Sequence, residues 1–395
     1  MREKIHQTID HLFPEMVDIR RHLHQYPELS FQEYETARYI AQYYKKLGIP
    51  YKTGVGGNGV IATLKGEQPG KTIALRADFD ALPIHDEKDA PYRSKVDGVM
   101  HACGHDGHTA TLLVLAKVLK QYKNLLPGTV VFLHQHAEEY APGGAKPIIQ
   151  SGTLDDVDAV FGTHLWATVP VGKVQTSKGA FMAGVDRFKI TLQGQGGHGA
   201  HPHETKDALV IGAQLVNQLQ QIVSRRLNPL DTAVVTIGKF EAGTAFNIIS
   251  DKAYLEGTVR YLKTTTQERI IDEMEKITKG LCVGNDMTYT LEYEKGYPPL
   301  VNHEDDAELV LQSSRHVADV YAAEEVPPVM SGEDFAYYTI EKRGAFFFTG
   351  AQKEGHPYPH HHPKFDIDER ALPIAAKLLI ETYFAYQEKA STTHS

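Results

Sequence analysis

One short segment, Met100–His108, carries the most reactive set of side chains in this sequence of 395 residues. It holds one thiol, three imidazoles and one carboxylate, which are the ligand types that Zn²⁺ and related borderline cations take in proteins. Two glycines allow sharp turns, so several of these groups could converge on one point. A lone buried cysteine is more often a packing residue, but the neighbouring Gly, His and Asp residues favour ligation. The segment therefore predicts a metal site that includes Cys103 and His105.

A second cluster lies in His134–Glu139, directly after an apolar, β-rich run. Two adjacent acids, here Glu138 and Glu139, usually mark a solvated surface. At the end of a strand they indicate a division of roles, because successive residues of an extended chain face opposite ways. One acid would bind metal, and the other would take a proton from water and deliver it to a leaving nitrogen.

Two further groups of histidines are candidates with weaker individual signals. His164 ends an apolar run, and on its own it could equally be a core or surface histidine. The triplet His360–His362 could belong to a flexible His-rich loop. The following Pro363 and Phe365, together with nearby acids, favour a fixed position.

A glycine-rich segment, Gly196–His203, supplies a different candidate. Histidine in such a turn suits a hydrogen-bond donor to a developing oxyanion, although an ordinary turn is the simpler interpretation. Asn247 and Arg260 are similarly ambiguous, since they could recognise an anion or be a turn residue and a surface charge.

The elements that must position these groups alternate in type. Apolar runs at 72–78, 129–133 and 158–164 read as buried strands that end in polar residues, and 109–122 reads as a helix. This alternation predicts βαβ units, an α/β fold and a mostly parallel sheet flanked by helices. Ligands bind beyond the carboxyl ends of such strands, where the acids and histidines, including Asp80, fall.

The pattern changes near residue 183. Strand, helix, strand, strand, helix and strand follow one another over 183–293, which predicts a smaller α+β sandwich domain inserted into the larger one. The catalytic domain would then consist of 1–182 and 294–395. A chain of this length exceeds the usual size of one hydrophobic core, so two domains are expected.

Composition excludes several classes of protein. A formal net charge of −9 lacks the basic footprint of general nucleic-acid binding. The N-terminal segment is charged and amphipathic and lacks the apolar core of a signal peptide, and the sequence contains no run of about 18 apolar residues that would span a membrane. Cys103 and Cys282 are the only cysteines. A disulfide framework is therefore not expected, whereas a cytoplasmic location is expected.

Together these segments resemble the M20 metallopeptidase family, specifically its amidohydrolase branch of aminoacylases, hippurate hydrolases and indole-acetyl-amino-acid hydrolases. The likeness runs through nearly the whole chain. The motifs that carry it are Arg20–His24 with Pro27–Phe31, Leu75–Pro83, Met100–His108, His136–Glu139, Gly162–His164, Gly196–Ala200, Ser331–Phe335 and His361–Phe365.

The resemblance implies a catalytic domain that binds two divalent ions and a lid domain that commonly dimerises. It implies five metal ligands: Cys103, His105, Glu139, His164 and His361. Glu138 would be the general base and acid. Within the histidine triplet the family pattern favours the first His of His-His-Pro, although His360 makes a slip of one residue possible. The ions would be Zn²⁺ or Mn²⁺, with Co²⁺ or Ni²⁺ as alternatives.

The resemblance also assigns substrate groups. His198 would assist oxyanion stabilisation, with a neighbouring subunit as one possible source, and Asn247 would help hold the substrate carboxylate. Arg260, which the resemblance does not assign, joins Asn247 among the predicted substrate-binding residues. In many M20 peptidases the first metal-binding motif along the chain is His-x-Asp, but in this sequence the corresponding residues are Asp78-Phe79-Asp80. His105 would supply the missing imidazole, and Asp80 joins the predicted catalytic residues. The absence of that histidine counts against an assignment as an ordinary aminopeptidase.

The activity implied is hydrolysis of an N-acyl amino acid to a carboxylate and a free amino acid, by a homodimer or higher homo-oligomer. Neither nucleic acid nor a membrane is an expected partner. Two alternatives stay open: a dipeptidase or carboxypeptidase of the same family, and a metal- or ligand-binding protein without catalysis. Glu138 counts against the last, because a storage site needs no free base.

Overall fold

A computed structural model describes residues 1–392 of the chain. The helices are α1 (Arg2–His11), α2 (Phe13–Gln25), α3 (Tyr34–Leu47), α4 (His105–Gln121), α5 (Ala145–Gln150), α6 (Ala208–Gln221), α7 (Thr264–Gly284), α8 (Glu304–Ser313), α9 (Ala336–Glu341) and α10 (Ala371–Thr392). The strands are β1 (Tyr51–Val55), β2 (Gly59–Lys65), β3 (Gln68–Asp78), β4 (Pro127–Gln135), β5 (Ala159–Pro170), β6 (Lys173–Thr176), β7 (Gly179–Met182), β8 (Gly184–Gln193), β9 (Gly197–His198), β10 (Ala233–Ala242), β11 (Ile248–Ile249), β12 (Lys252–Tyr261), β13 (Thr288–Tyr297), β14 (Leu300–Asn302), β15 (Ala322–Glu325) and β16 (Arg343–Gln352). Within this part of the chain, every helix is too short or too polar to cross a membrane.

The chain folds into two compact units. The first unit consists of Met1–Phe181, Val301–Pro327 and Asp334–Ser395. The second unit consists of Met182–Leu300 and Pro328–Glu333. Each unit has its own hydrophobic core.

The first unit is built on an eight-stranded sheet with the order β1-β2-β4-β3-β5-β16-β6-β15. Its four inner strands, β4, β3, β5 and β16, run parallel, whereas β1 and β2 form an antiparallel edge. Helices α3, α4, α8 and α10 pack on its strands. The C-terminal parts of β3 and β4 and most of β5 and β16 are buried, as expected when helices cover a parallel sheet. The predicted mostly parallel sheet flanked by helices is confirmed.

Helix α4 begins earlier than the sequence pattern suggested. The apolar periodicity indicated a start at Thr109, but the helix starts at His105, with Gly104 as its N-cap. Gly104 has φ +101, a conformation that glycine adopts without steric cost. The turn at Gly104 therefore leaves Cys103 in the preceding loop and places His105 and His108 in the first helical turns.

The second unit contains a four-stranded antiparallel sheet with the order β10-β12-β8-β13. Helices α6 and α7 pack against it around a core that includes Phe188, Leu192, Leu215 and Met274. A short antiparallel ribbon joins β9 to β11. The order of elements is strand, helix, strand, strand, helix, strand, and the α+β class is the one predicted for this part of the chain.

Candidate metal centre

Neighbouring elements of the first unit bring the predicted metal-binding groups to one edge of its sheet. Asp80 follows β3, and Glu138 and Glu139 follow the adjacent strand β4. His164 lies within β5, on the other side of β3, and His105 opens α4. Because β4, β3 and β5 are parallel, their carboxyl ends face the same way.

The sulfur and two imidazoles form the first part of the cluster. The Cys103 Sγ lies 3.4 Å from the His164 Nε2. One ligand atom from each of Cys103, His105 and His164 falls within 4.8 Å of the other two. Two ligand atoms bound to one tetrahedral cation at about 2.1 Å lie about 3.4 Å apart, so this spacing suits a shared ion.

Glu139 joins the remaining predicted ligands to this group. Its Oε2 lies 3.3 Å from the His361 Nε2, and its Oε1 lies 3.8 Å from the His105 Nε2. Ligand atoms of Cys103, Glu139 and His361 also lie within 4.8 Å of one another. The five residues predicted as ligands therefore form one connected cluster, and their role as ligands stays a prediction.

Two atoms of the cluster are buried without a hydrogen-bond partner in the described part of the chain. The His105 Nε2 and the Glu139 Oε1 are buried and make no hydrogen bond within residues 1–392. A buried polar atom left without a partner costs about 1–3 kcal/mol. Nitrogen and carboxylate oxygen are both zinc ligands. The donor set and these unpartnered atoms therefore fit a divalent cation.

Asp80 holds two members of the cluster in place. Its Oδ1 lies 3.1 Å from the His105 Nδ1, and its Oδ2 accepts hydrogen bonds from the Glu139 backbone N–H at 2.9 Å and the Ser30 hydroxyl at 2.7 Å. A carboxylate on the outer nitrogen of a ligating imidazole fixes its tautomer and orientation. Asp80 is buried, and all of these contacts point to positioning.

The charges of the cluster favour a bound cation. Burial lowers the pKa of His105, but the carboxylates of Asp78, Asp80 and Glu139 outweigh burial and raise it to about 10. Burial raises the pKa of the Cys103 thiol well above its usual value, and nearby acids raise it further. A thiolate nucleophile is thereby disfavoured, whereas a bound cation would displace both protons.

The sequence analysis missed His108, which braces the cluster. Its Nδ1 lies 2.6 Å from the Asp78 Oδ1, and its Nε2 accepts the Leu165 backbone N–H at 2.8 Å. Both ring nitrogens are therefore used, so His108 positions the residue next to His164 and is not available to a metal ion. Its spacing of three residues from His105 is the signal that a correctly placed helix start would have revealed.

The histidine triplet splits into three different environments. His361, with φ +64, faces Glu139. The His360 Nδ1 lies 3.8 Å from the Cys103 sulfur, while its Nε2 accepts a backbone N–H of β5 at 3.0 Å. The His362 ring turns elsewhere and accepts a backbone N–H from its own loop. Of these three histidines, only His361 shares a candidate ligand group with Glu139.

The remaining predicted residues lie in the second unit. His198 is on the β9–β11 ribbon and is exposed, and its Nδ1 accepts the Ala200 backbone N–H at 3.0 Å. Asn247 is also exposed and accepts the Gly199 backbone N–H at 2.9 Å. Arg260 is half-buried in β12 and donates to groups of its own strand. The structure thus brings His198 and Asn247 together within this unit, and Arg260 lies on a different element.

Comparison with known proteins shows which family the chain resembles. Residues 74–384 match the family model described as peptidase family M20/M25/M40. The chain is 53% identical over 390 residues to the "Putative amidohydrolase YhaA" of Bacillus subtilis, with 98% of each chain covered. It is 44% identical over 304 residues to the "N-acyl-L-amino acid amidohydrolase" of Geobacillus stearothermophilus, covering 77% of this chain and 82% of that one.

A solved structure agrees in fold as well as in sequence. The YXEP protein of Bacillus subtilis, described as a dinuclear metal-binding peptidase from the M20 family, superposes with a TM-score of 0.84 at 34% identity. The match covers 96% of this chain and 99% of that one. With a family match over most of its length and a cluster of candidate metal ligands at the sheet edge, this chain belongs to peptidase family M20/M25/M40 and is a hydrolase of amide bonds.

Proposed function

We propose that this chain is a metal-dependent amidohydrolase that cleaves N-acyl amino acids, such as N-acetyl amino acids, to a carboxylate and a free amino acid. The observation that carries the proposal is the cluster in which the buried His105 Nε2 and Glu139 Oε1 have no hydrogen-bond partner among the described residues and lie beside a further acid, Glu138. The names of two relatives, an amidohydrolase and an N-acyl-L-amino acid amidohydrolase, support the substrate class.

Five side chains would hold two divalent cations, Zn²⁺ or Mn²⁺: Cys103, His105, Glu139, His164 and His361. Such ions, when bound, acidify water and polarise a carbonyl group. The chain's two cysteines are both free thiols. A reducing, cytoplasmic setting, which would keep the Cys103 sulfur available for ligation, is part of the proposal.

Glu138 would move the proton of the reaction. It is buried, and its Oε2 lies 3.9 Å from the His105 Nε2, at the border of the cluster. A carboxylate in this position would take the proton of the attacking water and deliver it to the departing amine. Asp80 would serve the same reaction by holding His105 and the Glu139 backbone.

The second unit would supply substrate contacts. Because the His198 Nδ1 accepts a backbone N–H, the ring proton of the neutral imidazole lies on Nε2, which suits donation to a developing oxyanion. Asn247 and Arg260 would bind the substrate. The exposed apolar side chains of this unit, Leu230 and Phe246 among them, support assembly into a homodimer or higher homo-oligomer.

The decisive experiment replaces Glu138 by Gln, which keeps the shape of the side chain but removes its basicity. Turnover of N-acetyl amino acids should fall by about 10²–10⁴-fold, while metal analysis of the purified protein should match the wild type. Glu67→Gln, at a half-exposed acid outside the cluster, is the matched control. Undiminished turnover in Glu138→Gln would refute the assigned role.

The same assay separates the proposal from its rival. The relative of known structure is described as a peptidase, so a dipeptidase or carboxypeptidase is the second candidate. Wild-type protein that cleaves free dipeptides faster than N-acyl amino acids would establish that rival instead.

A further inference from the structure

The residue before Glu138 has a backbone conformation that side-chain-bearing residues rarely adopt. Ala137 has φ +51 and is completely buried. The left-handed region is unfavourable for any residue with a Cβ atom, and it persists only where the surroundings impose it. Since this torsion sets the direction in which the chain leaves β4, it also sets where the Glu138 side chain points.

Glu33 supplies one of the contacts that impose this conformation. The Glu33 Oε1 accepts the Ala137 backbone N–H at 2.8 Å. The Glu33 Oε2 accepts the side-chain amide of Asn58 at 2.9 Å. Glu33 is completely buried, and its hydrogen-bond donors, Ala137 and Asn58, are both neutral. A buried carboxylate is costly unless its oxygens are hydrogen-bonded, so this pair of bonds fixes the position of Glu33 as well.

Two further contacts hold the same short segment. The Gly144 backbone N–H donates to the Ala137 carbonyl at 3.0 Å. The Glu139 backbone N–H donates to the Asp80 Oδ2 at 2.9 Å. The peptide groups on both sides of Glu138 are therefore held by Gly144 and Asp80, and Glu33 holds the preceding peptide group, between His136 and Ala137.

Asn58 holds Glu33 from a turn with little freedom of its own. The preceding residue, Gly57, has φ +131, and a Cβ atom there would lie 2.6 Å from the His136 Nε2. Only glycine fits that position, so the turn that carries Asn58 is fixed against the same part of the chain. A continuous set of contacts thus runs from the turn through Glu33 to Ala137.

We propose that Glu33 is a positioning residue for Glu138: by accepting the Ala137 N–H it keeps the left-handed turn and aims the Glu138 carboxylate. The proposal rests on the function proposed above, in which Glu138 transfers the proton. Glu33 makes none of the contacts within the ligand cluster, so its loss should change the chemical step and leave metal binding intact.

Glu33→Ala tests the idea most simply. Misplacement of a reacting group by about 1 Å lowers turnover by about 100-fold, and we expect kcat on N-acetyl amino acids to fall by that order. KM and the metal content per chain should stay at the wild-type values. The matched control is Glu35→Ala, at an exposed acid two residues away whose side chain pairs with Arg38, and it should change kcat by less than about threefold.

An isosteric substitution protects the test against simple misfolding. In Glu33→Gln the amide oxygen can still accept the Ala137 N–H, and the Asn58 amide can turn over so that its oxygen accepts the new side-chain N–H. The kcat of this variant should therefore stay within about threefold of the wild-type value.

Each outcome separates this proposal from the proposed function. A fully active Glu138→Gln variant would refute the function itself. If that variant is inactive but Glu33→Ala turns over at the wild-type rate, only the positioning role is wrong. A loss of metal in Glu33→Ala, or a folded Glu33→Gln protein as slow as Glu33→Ala, would also overturn it.

Discussion

At the scale of single residues, the imidazoles of the cluster differ in protonation before any cation binds. Burial, with the neighbouring imidazoles, holds the pKa of His164 well below its usual value, so its ring is neutral and its lone pair is ready for ligation. Cys103 is the opposite case, because its raised pKa keeps the sulfur protonated. Its thiol therefore needs a cation to become a thiolate, and Cys103 should be the most sensitive probe of metal binding.

Replacing Cys103 by Ser should remove at least part of the bound metal, since a hydroxyl is a poor substitute for a thiolate. Activity on N-acetyl amino acids should fall by at least about 100-fold, and metal analysis of the purified variant should show fewer ions per chain. Cys282→Ser is the control, because Cys282 is buried in the core of the second unit. Full metal content in Cys103→Ser would contradict the predicted ligation.

At the scale of elements, a buried charge network ties α2 to the segments that carry the ligands. Arg20 on α2 is completely buried and donates to Asp106 in the first turn of α4 and to Asp366, both at 2.9 Å. Asp366 also accepts the Tyr92 hydroxyl and the Lys353 ammonium. Asp366 follows the loop of His361, so the network joins two of the segments that carry predicted ligands, the start of α4 and this loop.

The network should make the stability of the fold depend on pH. Burial alone would raise the pKa of Asp366, but the charge of Arg20 and the hydrogen bonds from Lys353 and Tyr92 lower it far below its usual value. A carboxyl whose folded pKa is depressed contributes stability above its unfolded pKa of about 3.9. That contribution is lost as the pH falls through the folded pKa.

Asp366→Asn should therefore lower the free energy of unfolding by about 3 kcal/mol at neutral pH. The difference from the wild type should shrink below about pH 4, where protonation begins to reduce the contribution in the wild type as well. Urea denaturation at a series of pH values measures both effects. Asp305→Asn, at an exposed acid of α8, should change stability by less than about 1 kcal/mol. A difference that stays constant with pH would contradict the assignment.

The sequence predicted which segments form strands and helices better than it predicted the residues at which they begin. Strand ends could be located from apolar runs, and these runs placed Glu139 and His164 at one edge of a parallel sheet. The start of α4 could not be found from periodicity, because His105 and His108 are polar residues at the buried beginning of a helix. Glu33 gave no signal at all, since its partner Ala137 lies far along the chain and the left-handed torsion appears only after folding.

At the scale of the whole molecule, all five predicted ligands belong to the first unit, although the second unit interrupts the sequence of the first. The first unit closes through the parallel pairing of β16 with β5, strands that lie on opposite sides of the second unit in the chain. A long insertion adds little to the cost of such a closure, because the entropy of loop closure grows only with the logarithm of length. The core of the second unit contains none of the five predicted ligands.

Removal of metal should consequently destabilise the first unit and spare the second. An ion at roughly a hundredfold excess over its Kd stabilises the folded state by about 2.7 kcal/mol. Differential scanning calorimetry with a chelator should show a lower melting temperature for the transition that involves the first unit. A chelator saturated with zinc beforehand is the control. Identical thermograms with and without bound ions would count against a site built into this unit.

The parallel pairing of β16 with β5 also has a consequence for biosynthesis. The ribosome makes Cys103, His105, Glu139 and His164 early, but β16 and the loop of His361 leave it only after the entire second unit has been translated. A nascent or prematurely terminated polypeptide would thus carry four of the five predicted ligands without the strand that completes the sheet. The predicted set of ligands would therefore become complete only late in synthesis, after the second unit has been made.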